Sequence, residues 1–547
     1  MRILLYDMRR SDISIVLVAA FVFADATIVT LALPNLLVDL HTTVYGVAAV
    51  LGVYTATLGC SALLLTRVKA VGSLAATVSL CVFSLASVGC ALAGGLTLLL
   101  VARAIQGAAG GVILAAAGDA LGPPRRSGRM WALVGVLSLA VGPVVGGALT
   151  QAFSWRAIFV AQAPLPLVAA ALRRTWYERP ASGEPAPPRA LRPLVVLALV
   201  SGALTALLFG VVLLLVVGWA MQPLSAALAV SIVPVAALAG ALVRGRDATR
   251  VAIGSGLIGG GIAALAFLPT NNVAWLVVPE LVAGFGMGLA LTPLIEDVLP
   301  ERTHAARTRN IAIRHLGVTL TLVALAPVIS HDLNNAVEHA KLQTVGVVLA
   351  APIGPREKLS LAPKLVKSVH SDRPLAAIRS AGREARPDVK ASERSRFDEM
   401  FGRIETTFVA AARDAFEKAF LIAALLAFAA AALLVVDARG PALAAIAAGL
   451  CVAGGQALVN HFAAPQTFAV GKPCESRPLP NSGGLGGITQ DLVLRAVDAA
   501  ACRLGASREE LVLALADKSE AEKFQRKHGV DPRTIAAFLR VLGLGSG

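Results

Sequence analysis

Asp25 and Arg103 are the two side chains whose surroundings demand an explanation. Asp25 sits within Phe23-Ala24-Asp25-Ala26-Thr27-Ile28-Val29, and Arg103 comes after Leu98-Leu99-Leu100-Val101-Ala102, so each ionisable group lies in a run suited to hydrocarbon. A charge placed there costs about 2.5 to 3.5 kcal/mol on insertion scales, which directs it to the protein interior or to a water-filled cavity. With about 1.5 Å of rise per helical residue, Asp25 stands roughly 14 Å from the outer end of its run and Arg103 roughly 11 Å from the outer end of its own. The two groups share a depth and have opposite sign. Pairing them solves the burial problem, and it also makes a proton switch: a proton on Asp25 releases Arg103 and changes what a cavity attracts. The plainer alternative is a static ion pair that locks two helices together. Gln106, one turn beyond Arg103, either lines the same cavity or makes an ordinary interhelical hydrogen bond.

Other residues invite weaker readings. Gly142-Pro143-Val144-Val145-Gly146-Gly147 sets glycines four apart on one helix face and a proline that loosens the backbone, which suits a hinge or gate as well as a plain packing interface. Glu280, after Pro279, lies near the outer end of its run, shallow enough to reach water and to take part in substrate or proton handling. Glu296 and Asp297 fall at an inner end, where solvation or pairing with Arg302 accounts for them, and His315 beside Arg314 reads as interfacial. Of the six cysteines, Cys60, Cys81, Cys90 and Cys451 lie singly in apolar runs as small hydrophobes, with no metal-binding spacing. Cys474 and Cys502 share a polar tail and form a candidate disulfide if that tail meets an oxidising compartment. No nucleophile elbow, zinc spacing or phosphate-cradling glycine loop with its lysine is present, so nothing points to an enzyme, to ATP hydrolysis, or to a metal or other cofactor.

These residues have to be held by elements that live in lipid. The 547 residues are 56% hydrophobic and only 15% charged, and the mean hydropathy is +0.73, too apolar for one water-soluble core. The apolar runs are long and do not alternate, which selects helices over a barrel. Spans are expected at 12-34, 44-65, 71-91, 96-118, 130-150, 157-172, 193-217, 223-243, 251-269, 275-296, 312-330, 417-436 and 441-459. The first run carries Asp25 and is long enough to cross, so it reads as a retained helix and not as a cleaved signal. With the N-terminus inside, twenty-one Arg and Lys residues fall in the inner segments and one, Arg156, in the short outer loops. The net charge of +15 therefore reads as topology anchors, with no nucleic-acid partner.

The fold class expected is an all-α polytopic membrane protein of two six-helix bundles. Residues 1-176 make the first bundle, the Pro-rich 177-192 a cytoplasmic linker, and 193-330 with 417-436 the second bundle. Between them, 331-416 are largely polar and form a helical outer cap, since long segments translocate regardless of charge. Residues 437-465 hold an extra transmembrane helix and 466-547 a small helical tail. In the tail, Ser507 with Glu510 and Ser519 with Glu522 match capping boxes, and Asp531-Pro532 suits a helix start. If the extra helix crosses, the tail lies outside; if it lies flat on the membrane, the tail is cytoplasmic.

Asp25-Ala26-Thr27-Ile28-Val29-Thr30-Leu31-Ala32-Leu33-Pro34 resembles the first-helix signature of the QacA/EmrB-like drug/proton antiporters of the major facilitator superfamily. Arg103-Ala104-Ile105-Gln106-Gly107 is similar to their fourth-helix proton-transfer motif, and Gly142 to Gly147 with the later Trp155-Arg156-Ala157-Ile158-Phe159 to their antiporter motif and the turn after it. The resemblance covers mainly residues 15 to 170 and continues more weakly through Ile311 to Pro327. It implies that Asp25 and Arg103 belong to the central cavity and its proton coupling, and Gly142 to Gly147 to an interhelical hinge. Two features depart from the pattern. The branch usually has fourteen spans, with two between the halves, and its loop between spans 2 and 3 carries an acid near where this chain has Thr66 in Leu63-Leu64-Leu65-Thr66-Arg67-Val68-Lys69.

Together these features lead to proton-coupled export of amphipathic organic compounds, with a small-molecule substrate, protons and the lipid bilayer as partners. The missing loop acid and the two polar inserts favour an alternative, a non-transporting receptor or scaffold; nutrient symport shares the same fold. The GC-rich residue usage suits a bacterial inner membrane, with the N-terminus cytoplasmic and the tail extracytoplasmic. A wide polar cavity reaching Asp25 argues for transport, and a centre filled by Leu and Phe argues for a scaffold.

Overall fold

In hydrocarbon each backbone N–H and C=O must be satisfied within its own segment, so long apolar runs become helices. The computed structural model describes residues 10–121, 141–172, 191–295, 303–354, 374–475 and 484–534, together with 135, 138, 358, 361, 364, 365, 367 and 368. They form helices and turns, with no strand among the described residues. Ten of the described helices are long and apolar enough to cross a membrane, or eleven if the bent first pair counts as one span.

That pair is α1 (Arg10–Thr30) and α2 (Leu33–Asp39), bent by 54°. Pro34 causes the break, since it has no N–H to bond back and its ring opposes the preceding turn. Then come α3 (Val44–Leu65), α4 (Ser73–Ala91) and α5 (Leu96–Leu121). Of the expected span 130-150, the described part is α6, residues 141–152. The sixth run is two short helices, α7 (Trp155–Gln162) and α8 (Pro164–Leu172). The expected linker 177-192 lies outside the described residues apart from Leu191 and Arg192. The second half has α9 (Leu191–Leu213), α10 (Pro223–Val230), α11 (Ile232–Leu242), α12 (Asp247–Leu265), α13 (Ala274–Pro293), the 47-residue α14 (His304–Ala350) and, after α15 (Pro374–Ala385), the 40-residue α16 (Arg394–Leu433).

Small residues let these helices touch backbone to backbone, the main route to tight packing where lipid tails are as apolar as leucine. A methyl on Gly107 would stand 2.2 Å from the Tyr54 carbonyl oxygen, and one on Gly146 would stand 2.2 Å from that of Ile28. The helix after α16, α17 (Val435–Ala463), docks on α12 in the same way: a methyl on Gly260 would meet the Gly449 Cα at 2.3 Å.

The chain forms two compact units. One holds Met1–Val217, Met221–His331 and Phe416–Ala464; the other holds Gly218–Ala220, Asp332–Ala415 and Pro465–Gly547. The cap and the tail, separate pieces by the sequence reading, are thus parts of one unit. Its core gathers Val347, Leu375, Ile378, Phe397, Met400 and Ile404 from the cap, with Phe468 of the tail packed against it. Buried Lys341 donates to Glu338 at 2.9 Å and to Glu520 at 3.2 Å, tying cap to tail. Cys474 and Cys502 form a disulfide across 28 residues. The tail adds α18 (Gly484–Arg503), α19 (Arg508–Ala516) and α20 (Lys518–His528).

The Ser507–Glu510 capping box is present. The one expected at Ser519 is not: α20 starts earlier than that pattern implies, and Asp517 caps it, its carboxylate accepting from Ser519 N and Glu520 N with a full charge at the positive end of the helix. Asp531 and Pro532 lie in a turn, and residues 535–547 are outside the described residues. Burial would push the Glu510 carboxyl up, but the Lys527 ammonium, the Ser507 N–H and His528 together hold it below its ordinary range.

Replacing Cys474 and Cys502 by Ser should destabilise the cap-and-tail unit by about 2 to 4 kcal/mol, read as a lower midpoint for its unfolding beside an unchanged bundle transition. Gly449→Leu should overpack the α12–α17 contact at a cost of about 1 to 3 kcal/mol, seen as a lower melting temperature in detergent; an unchanged melt would refute that contact.

Candidate functional site

The centre of the first half is a buried charge network built by four helices, α1, α3, α4 and α5. Asp25 on α1 and Arg103 on α5 are both fully buried and form an ion pair of 2.5 Å between Asp25 Oδ2 and an Arg103 terminal nitrogen. That nitrogen also donates to Gln106 Oε1 at 2.7 Å, while Arg103 Nε donates to the Val50 carbonyl on α3 at 3.3 Å. Gln106 passes the network on by donating to Ser87 Oγ at 2.9 Å, and Ser87 donates to the Phe83 carbonyl. The guanidinium lies 4.1 Å from the centre of the Tyr54 ring, whose hydroxyl donates to the Val22 carbonyl. Gly107 makes this possible locally, since without a side chain α5 comes close enough to α3 for Arg103 to reach Val50 and Tyr54. Two edges of the network stay open: Asp25 Oδ1 and the second terminal nitrogen of Arg103 have no hydrogen-bond partner among the described residues. Gln162 of α7 interacts with the Asp25 carboxyl without reaching ordinary hydrogen-bond geometry.

A cavity of about 230 Å³ lies between the halves of the bundle. Its wall mixes Leu51, Leu197 and Leu204 with the hydroxyls of Thr27, Thr55, Ser201 and Thr205, and adds Asn310, Arg314 and His315. The centre is therefore not packed solid. None of Asp25, Arg103, Gln106 and Glu280 is among its lining residues, contrary to the expectation from sequence. The first three turn toward one another inside the first half, because pairing satisfies them without water. Asp25 reaches the cavity only through its helix neighbours Phe23, Ala26 and Thr27, which do line it.

Glu280 also departs from the expectation of a shallow, water-reaching acid. It is fully buried in α13, and neither carboxyl oxygen has a hydrogen-bond partner among the described residues. Close glycine packing of α13 against α11 and α12 draws that face inward: methyls on Gly284 and Gly261 would stand 2.3 Å from the Val233 carbonyl oxygen and 2.5 Å from that of Pro279. His315, expected at the interface, is a cavity residue stacked on Phe23 at 5.5 Å. Glu296, Asp297 and Arg302 lie outside the described residues.

The glycine-proline segment lies against the helix that carries the acid. A methyl on Gly142 would stand 2.1 Å from Thr27 Oγ1, and Gly147 faces Pro223 and Ala227 of the second half. Gly142, Pro143, Gly146 and Gly147 are all buried.

A second polar cluster joins the halves at the end of the bundle that bears the loop after α3. Asp119 near the end of α5 accepts from the Val71 N–H at 3.0 Å and from Arg307 at 2.6 Å, and it bonds His304 Nδ1 at 2.8 Å. The other ring nitrogen of His304 meets the Leu65 carbonyl at 3.1 Å. Thr66, near the position of the absent acid, bonds back to the Leu63 carbonyl. The sequence hides this cluster, because Asp119 lies one residue past an expected span and Arg307 reads as a topology anchor. The signal for Gln162 is its place as a lone amide among Phe159, Val160, Ala161 and Leu165. No group of His, Cys, Asp and Glu suited to a metal occurs among the described residues.

Comparison with known proteins agrees with this architecture. Residues 15–320 match the Major Facilitator Superfamily. A stretch of 114 residues is 36% identical to the Multidrug resistance protein B homolog of Mycobacterium tuberculosis, covering 19% of this chain and 21% of that one. Over 165 residues it is 32% identical to the Methylenomycin A resistance protein of Streptomyces coelicolor, covering 29% and 34%. The chain thus spans only about a fifth to a third of these relatives' length. The crystal structure of a bacterial homolog of the human lysosomal transporter Spinster, inward-facing and occupied, superposes with a TM-score of 0.51 at 14% identity over 78% of this chain and 96% of that one, a likeness of fold. With more than half its length matched, two helical halves about a central cavity and an Asp–Arg pair in the first, this chain belongs to the major facilitator superfamily.

Proposed function

We propose that this chain exports amphipathic organic compounds in exchange for protons across a bacterial inner membrane. One observation carries the reading: the Asp25–Arg103 pair is buried in the same helix turn as cavity-lining Phe23, Ala26 and Thr27. A proton on Asp25 cancels its attraction for Arg103, which keeps Gln106, the Val50 carbonyl and the Tyr54 ring. α1 is then free to shift against α5, and with it the cavity wall that touches cargo. Gly142 and Gly146 hold α6 directly on Thr27 and Ile28, so that shift passes to the fifth span and, through Gly147, to the second half. Glu280, buried in α13 with no hydrogen bond from the described residues, is a second proton site on this reading. The drug-resistance names of the relatives support organic cargo. An open cavity is what a purely scaffolding bundle would have no use for.

The Asp119 cluster answers the missing loop acid. Asp119 holds the loop after α3 by Val71 and the start of α14 by His304 and Arg307, the junction an inner gate has to close. On this reading it is the cytoplasmic latch. The cap and the tail share one unit, so both lie on one side of the membrane, and the disulfide within the tail favours the outer side.

Removing one partner of a buried pair costs about 3 to 5 kcal/mol. Asp25→Asn keeps the shape and loses the titrating group, so dye export driven by an imposed pH gradient in inside-out vesicles should fall by more than about tenfold, while cargo binding persists. Full gradient-driven transport by this variant would sink the coupling role. For the latch, Asp119→Ala should raise the rate at which a membrane-impermeant thiol reagent, added from the cytoplasmic side, labels a cysteine placed at Thr55. Unchanged labelling would mean the cluster closes nothing.

A further inference from the structure

A second cavity, of about 420 Å³, lies between α1, α6 and the α7–α8 pair of the first half. Leu17, Phe21, Val141, Val145, Leu165 and Val168 make its walls. Several of these are open to the outside of the bundle, Leu17 and Val168 at 56% exposure each, so in a membrane the groove faces acyl chains. Its one side-chain amide breaks the pattern. Gln162 lines the groove, is 2% exposed, and leaves both Oε1 and Nε2 without a hydrogen bond from the described residues. Leaving a buried donor or acceptor unmet costs about 1 to 3 kcal/mol, so an amide that lines an apolar groove with neither function in ordinary hydrogen-bond geometry is suited to a molecule that brings the complement. The same side chain interacts with the Asp25 carboxyl.

Resting on the export reading, we propose that this groove is the entry site for cargo from the bilayer. It takes an uncharged amphipathic molecule whose apolar body lies between α1, α6 and α8 and whose head, a carboxamide or a protonated carboxyl, sits on Gln162. An amide offers an acceptor and a donor side by side, and a head with the same pair closes two hydrogen bonds with it. The charge state is set by the lining: no ionised side chain is present among the described lining residues, and a bare charge in such a place bears the insertion cost. A plain acyl chain would fill the volume and leave both amide functions unmet. Cargo held here stands beside Asp25, so its arrival and the proton on that acid are felt by the same helix.

The test uses the full chain in phosphatidylcholine vesicles and dodecanamide carrying a diazirine at its chain end. Labelling should map to the groove residues of α1, α6 and α8, saturate, and be competed by unlabelled dodecanamide. Gln162→Leu should weaken it about tenfold, the loss of one to two net hydrogen bonds, and Asp25→Asn should retain it. Ala161→Phe, which fills the groove from its outer rim, should block labelling and serves if Gln162→Leu fails to fold. Labelling that does not saturate, or that is equal in the wild type and Gln162→Leu, overturns the proposal, as does equal labelling of these residues by a diazirine phosphatidylcholine. Failure of the export reading is told apart by transport: a missing groove signal with Asp25-dependent export sinks only the groove, and a groove signal with Asp25-independent export sinks only the coupling.

Discussion

No charge can stand alone in hydrocarbon, and the first half of this protein is arranged around that constraint. Asp25 and Arg103 meet in the interior because neither has water to meet instead. Their immediate surroundings serve to hold that pair: Gly107 brings α5 onto α3, Val50 and Gln106 take further donors of the guanidinium, and Tyr54 supplies a ring face for its flat side. Each partner keeps one open edge: Asp25 Oδ1 and the second terminal nitrogen of Arg103 both have no hydrogen-bond partner among the described residues. Loss of charge on Asp25 would leave the guanidinium its bonds to Gln106 and the Val50 carbonyl and its contact with the Tyr54 ring.

The same reasoning separates the two ends of the bundle. At one end Asp119 gathers a backbone N–H from the first half and the His304 and Arg307 side chains of α14, all of them low in exposure. Such a cluster is strong when assembled and costly when half-assembled, the property wanted of a contact that must be either made or broken. At the other, Gln151 accepts from the Leu224 N–H at 3.1 Å near the close approach of Gly147 to Pro223. These are neutral contacts between small groups, which slide at lower cost.

Much of this is legible in the sequence, and the limits have physical causes. Apolar runs locate membrane helices because lipid leaves no other backbone solution, and opposite charges at one depth announce their pairing. Direction is harder. A run that is apolar all round carries little mark of which face looks inward, so Glu280 reads as shallow yet is enclosed, and His315 reads as interfacial yet lines the cavity. Asp25 itself reads as a cavity residue, but its partner turns it into the half. Contacts between distant segments, such as Asp119 with His304 or Lys341 with Glu520, leave no trace in spacing along one chain. The capping box at Ser507 is local and so is readable; the rival cap at Asp517 is equally local, but the serine two residues later offers the more familiar pattern and hides it.

The cap-and-tail unit has a bearing on how the protein is made. Its two long segments, Asp332–Ala415 and Pro465–Gly547, are separated by Phe416–Ala464, which holds the apolar end of α16 and the whole of α17. A ribosome delivers the cap first and the tail only after that helical hairpin has been synthesised. Until then, the face of the cap core that receives Phe468 is bare, and Lys341 waits for Glu520. Completion of the unit therefore waits on synthesis of the hairpin, and a chain whose tail stayed apart from its cap would leave that apolar face uncovered.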